Sequence, residues 1–145
     1  MAVTHKLYGP SMKNMLINNI TSLSSTDTAV TLSLLTSDHS FTQSHEYWAQ
    51  ISANELTTTY TGSTDYAGKV LTGKTITSTG DVSTIFDAAD VQFTSTGSIK
   101  AYHGVLRASS YLISGINFDG EQESVSGEFS VNWNSSGIFW ITVSA

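Results

Sequence analysis

The chain contains no cysteine and a single proline, and Asp, Glu, Lys and Arg together make up only 12% of its residues. A typical soluble protein is about 25% charged. Without thiols there are no disulfides, no cysteine nucleophile and no Cys-rich structural zinc site. No stretch approaches the roughly 20 apolar residues of a membrane-spanning helix, so no membrane partner is expected. The opening run Met1-Ala2-Val3-Thr4-His5-Lys6 lacks the apolar region of a secretory signal, which makes cytoplasmic synthesis the expectation. Cations are scarce as well: Lys6, Lys13, Lys69, Lys74, Lys100 and Arg107 stand apart, against 12 Asp and Glu, leaving a net charge of -6. Nucleic-acid binding needs clustered cations on phosphates, and no such cluster exists, so no nucleic-acid partner is expected.

What is abundant is hydroxyl. About three residues in ten are Ser or Thr, which solvate a charge-poor surface, and Thr favours strands because its β-branched side chain suits a pleated surface. With 145 residues the chain has the length of one ordinary domain. No 20–50-residue repeat and no charged or proline-rich linker divides it, so residues 1–145 read as a single β-rich domain.

Segment 10–20 puts Met12, Met15, Leu16, Asn19 and Ile20 at helical spacing behind Pro10, predicting one short amino-terminal helix over 11–20 that lids a sheet. From Val30 the period becomes two. Val30, Leu32 and Leu34 alternate with Thr31 and Ser33, the pattern of a half-buried strand. Further strands are predicted over 55–60, 69–77, 90–94, 99–106 and 112–118, punctuated by turn residues. Residues 127–133 and 138–143, joined by Asn134-Ser135-Ser136-Gly137, read as a hairpin. Such spacing predicts a mainly β protein, a β-sandwich or open barrel with one short helix. Val30, Leu32, Leu34, Phe93, Phe118, Phe129, Val131 and Phe139 are the expected core.

Chemistry is hard to find in this chain. It has no Gly-x-Ser-x-Gly elbow and no glycine-rich phosphate cradle. His39, His45 and Glu46 share a loop, but at spacings that suit neither one helix face nor one strand face, so no metal site is assigned. The acidic run Asp119-Gly120-Glu121-Gln122-Glu123 lacks the oxygen-ligand ladder of a calcium loop and reads as a solvated hairpin turn. Asp87 and Asp90 read as caps of the turn before the strand at Val91. No catalytic residue, metal or cofactor is expected, and the chain does not read as an enzyme.

Contact surfaces are the remaining candidates. Loop 38–53 follows no period and carries Phe41, Tyr47 and Trp48, aromatic anchors of the kind that concentrate at interfaces. An alternative use for Tyr47 and Trp48 is to plug the loop onto the protein's own core. The last strand is apolar on both faces, so Ile138 and Trp140 on its second face are expected either in a two-layer core or at a subunit contact.

Several blocks occur in an order that resembles a family of small virion structural proteins of tailed bacteriophages. They are Lys6-Leu7-Tyr8-Gly9-Pro10-Ser11-Met12, His45-Glu46-Tyr47-Trp48-Ala49-Gln50-Ile51, Tyr66-Ala67-Gly68-Lys69-Val70-Leu71, Phe86-Asp87-Ala88-Ala89-Asp90 and Gly127-Glu128-Phe129-Ser130-Val131-Asn132-Trp133. The resemblance covers most of the chain and is less typical at 106–112. It implies a non-enzymatic capsid decoration, or cement, protein on the outer surface of the virion, with the major capsid protein as partner. It also leaves a tail or fibre component and a host-glycan binding module as alternatives. Self-association is expected, with a trimer preferred to a dimer because trimers suit threefold positions of a shell.

Overall fold

The computed structural model describes residues 4–56, 68–80, 83–95, 97–124 and 127–142. They form ten strands: β1 Thr4–Leu7, β2 Val30–Leu35, β3 Lys69–Val70, β4 Thr75–Thr79, β5 Ser83–Asp87, β6 Val91–Ser95, β7 Ile99–Ala108, β8 Tyr111–Ser124, β9 Gly127–Val131 and β10 Phe139–Thr142. One α-helix, α1 Gly9–Leu16, and two short 3-10 turns, Trp48–Gln50 and Ser52–Asn54, complete them. The fold is mainly β with one short helix, as predicted. A five-stranded antiparallel sheet runs β1-β8-β7-β2-β3; a three-stranded sheet, β10-β5-β4, and a ribbon, β6-β9, stand apart from it.

Alternation explains the core. Val30, Leu32 and Leu34 of β2 and Phe118 of β8 share one buried cluster with Phe86, Phe93, Phe129, Val131 and Phe139 from the two smaller sheets. All eight residues expected in the core lie there, each at most 8% exposed. The opposite face of the large sheet is covered too. Leu35, Val105 and Leu112 pack there under Tyr8 and Ile51, with Phe41 and Trp48 against them. Strand β2 is therefore buried on both faces, Ser33 included, where its alternation predicts one wet face. The cover is loop 36–56 with α1, which alternation within β2 cannot reveal.

The helix starts earlier and stops sooner than predicted. Pro10 occupies its first turn, and Asn18 at φ 63 ends it in the left-handed conformation, its N–H bonding the Met15 carbonyl. Its buried positions are Ser11 and Asn14, which bond the Tyr8 carbonyl and the Glu46 carboxylate, while Leu16 is 79% exposed. The helix thus docks through hydrogen bonds as well as through Met15, which rests on the core.

Three other expectations change. Segment 69–77 is two strands, because Gly73 at φ 59 turns the chain from the large sheet to the small one and Lys74 ties that corner to the carbonyls of Ser25 and Thr28. The acidic run 119–123 is an irregularity inside the long strand β8, where Asp119 and Gly120 take positive φ, and Lys100 pairs with Glu121 and Glu123. The final hairpin does not form: β9 pairs with β6 and β10 with β5, so its two arms separate at the turn. Strands β1 and β5 carry too few apolar residues in alternation to be read from sequence. Of the strand predicted over 55–60, Glu55 bridges Leu35 and residues 57–60 lie outside those described.

Candidate functional site

The loop aromatics divide into plugs and a surface residue. Phe41 packs on Tyr8 with the rings tilted and their centroids 4.7 Å apart, and it lies so close to Gly115 that a Cβ there would sit 2.6 Å from its ring. Glycine at 115 is therefore the socket for Phe41. Burial pushes the Tyr8 hydroxyl up to about 12, which keeps it protonated beneath that ring. Trp48 is half-buried, its backbone N–H donating to the Ser110 carbonyl at 2.7 Å and the Arg107 guanidinium lying 4.8 Å from its ring centre. Such cation–π contact holds both side chains at the β7–β8 turn.

Tyr47 differs. It is 45% exposed, pairs with Tyr111 at 5.6 Å between centroids, and joins that residue in an isolated bridge. Its segment is fixed from below: the Gln50 side-chain oxygen accepts from the N–H groups of Glu46 and Tyr47, and Glu46 pairs with Lys13 at 2.7 Å and accepts from Asn14. The ammonium of Lys13 holds the Glu46 carboxyl below the usual carboxylate range. One helical turn beyond Lys13, Leu16 and Ile17 are also exposed, at 79% and 59%. Loop 38–53 thus does both things its sequence allows: it plugs the core through Phe41 and Trp48 and presents Tyr47.

At the other end of the chain the two candidates part. Ile138 is 1% exposed and belongs to the core, so it is corrected from contact residue to core residue. Its N–H bonds the Phe86 carbonyl, which turns its side chain inward before β10 begins. Trp140 is 58% exposed on β10, which has a neighbour on one side only among the described strands. It lines two adjoining grooves. One, of about 800 Å³, lies between β1 and β10, with Lys6, Phe41 and Phe139 in its wall. The other, of about 670 Å³, lies between β9 and β10 and contains a second indole, Trp133, that sequence reading did not single out. Tyr47 and Trp48 line neither groove, so the loop aromatics and Trp140 stand in two separate places.

The histidines cluster without forming a ligand set. His39 is 5% exposed and edge-on to His103 at 5.3 Å. Burial first, then the fields of His103 and His45, lower it to about 4. Among the described residues, no three His, Asp or Glu are placed to hold a metal ion. Asp87 caps locally, accepting from the Ala88 N–H, whereas Asp90 reaches across to the N–H of Trp133. Comparison with protein-family models, with curated proteins and with solved structures finds no match to this chain.

Proposed function

We propose that this chain is a non-enzymatic structural subunit of a tailed-phage virion, decorating the outside of the head and stabilising it by bridging neighbouring copies of the major capsid protein. The sequence resemblance supports the class. The observation that carries the contact is Tyr47, exposed yet held in place by Gln50, Glu46 and Lys13 on a loop that is itself plugged into the core. A rigid aromatic loses little conformational entropy on docking, which is what makes such residues anchors. Net charge of -6 favours the outer surface, since packaged DNA would repel an acidic protein inside. A bridging subunit binds only the assembled lattice, so mass action shifts the lattice towards assembly, and many weak contacts on one shell add.

The decisive experiment removes the protein from the particle. Particles without it should assemble, yet release DNA at lower temperature or under milder osmotic shock than complete ones. If they are equally robust and instead fail to adsorb to cells, the tail or receptor-binding alternative replaces the cement reading. Copy number adds a second check: hundreds of copies per particle belong to a shell, tens to a tail.

A further inference from the structure

Residues 127–142 have the pattern of a hairpin, but the arms bond outward, β9 to β6 and β10 to β5, and leave the 670 Å³ groove between them. Its lining includes Phe118 and Phe129, already in the core. Its walls combine two indoles with planar polar groups: Trp133 and Trp140, the amides of Gln122 and Asn132, and the carboxylates of Glu123 and Glu128. Neither Lys nor Arg lines it among the described residues.

Trp133 is fixed before any ligand arrives. Its indole N–H donates to the Ala89 carbonyl at 3.0 Å and its backbone N–H to the Asp90 carboxylate at 2.8 Å, so the ring cannot swing away. The volume falls in the range usual for small-ligand sites, about 300–1,000 Å³, which are mostly apolar and aromatic with a few placed polar groups.

We infer that this groove binds a neutral oligosaccharide, whose ring faces stack on Trp133 and Trp140 while its hydroxyls pair with Gln122, Asn132 and Glu128. A pyranose has an apolar C–H face that the electron-rich face of an indole attracts, and hydroxyls that both donate and accept. Amides offer a donor and an acceptor side by side, and a carboxylate accepts from two hydroxyls. Glu123 is engaged by Lys100 at 3.5 Å, which leaves Glu128 as the free carboxylate of the groove wall. Glu128, with no Lys or Arg among the described residues of the groove lining, repels uronic or sulfated sugars, so the occupant is uncharged. This site is separate from Tyr47 and does not rest on the virion reading.

The test titrates the full chain with hexasaccharides of glucose, N-acetylglucosamine, mannose and galactose, followed by tryptophan fluorescence and calorimetry. Sulfated and uronic hexasaccharides, and a decapeptide of alternating Thr and Val, are run beside them. At least one neutral hexasaccharide should shift the emission, the charged sugars should not, and Trp140→Ala should weaken binding at least about tenfold, as loss of a central aromatic contact does, without changing Tm. Trp140→Phe should keep part of the affinity. The proposal is overturned if no neutral hexasaccharide binds, if Trp140→Ala binds as the parent does, or if the charged sugars bind better. Binding of the peptide in place of sugars would make the open edges of β9 and β10 a strand-docking slot instead. A change of sedimentation in Trp140→Ala without any sugar binding would make Trp140 a subunit contact.

Discussion

Burial lowers His5, His39 and His103 alike, and His39 shows most clearly how a buried histidine makes this protein sensitive to acid. Within loop 36–56 it is buried facing His103 and His45, with Lys6, Ser40 and Asn117 around the small adjoining cavity, so no carboxylate lines that cavity among the described residues. Its unfolded value of 6.5 lies above its folded value of about 4, so the unfolded chain binds the extra proton between them. Stability is therefore full above about pH 6.5 and falls as pH drops towards about 4. His39→Gln should flatten that slope in denaturant titrations across this window, and an unchanged slope would remove His39 as the cause. Core residues make a simpler case. Phe129 meets Phe93 and Phe118 edge-on at 6.3 and 6.1 Å, and Phe129→Ala should cost about 3–5 kcal/mol in chemical denaturation. Its burial was legible because Glu128 and Ser130 alternate with it. His39 was not, because nothing local marks a histidine that a distant strand will cover.

Elements were legible where one face stays wet and illegible where another layer intervenes. Strand β9 alternates and was found; β2 was found, but with one buried face too few, since Leu35 and Ser33 are covered by a loop from later in the chain. The hairpin failed for a geometric reason. Asn134 to Gly137 do form a turn, with the Gly137 N–H on the Asn134 carbonyl, but Gly137 at φ 99 and Trp133 held on Ala89 and Asp90 send the arms to different partners. Turn residues announce a reversal and cannot say which strands it will serve. The candidate site suffered the same way: Trp140 was readable as an apolar residue on a strand's second face, while Trp133 joins it only because the arms part. Gly137 tests this account. Its positive φ disfavours any side chain, and a Cβ would lie 2.4 Å from the Ile85 side chain. Gly137→Ala should lower stability by about 2–4 kcal/mol in thermal or denaturant melts, whereas Gly80→Ala, at φ 60 with open space around it, should cost less.

At the scale of the whole molecule the question is which surface remains to be covered. Sheet edges are commonly protected by charge, and Lys6 on β1, Lys69 on β3 and Glu128 on β9 do this here. The helix end has no such protection. Leu16 and Ile17 project from α1 just past Lys13, whose partner Glu46 precedes exposed Tyr47, so uncharged apolar groups flank one ion pair. Isolated exposed apolar residues are ordinary, but a neighbouring set on a charge-poor surface is the kind that assembly covers. Self-association through this region is the expected outcome, with a closed trimer preferred to a dimer if the subunit sits on a threefold position of a shell. Sedimentation equilibrium of the free protein should show an oligomer at tens of micromolar. A double substitution Leu16→Ser and Ile17→Ser should shift it towards monomer while leaving the fold within about 0.5 kcal/mol, because exposed positions contribute little to folding. Tyr47→Ser in the otherwise unchanged chain separates the two contacts: it should lower occupancy on the particle more than it lowers self-association. A monomer at every concentration, both free and on the particle, would defeat the oligomer. Equal loss of fold and assembly in the double variant would return the helix end to the protein's own packing.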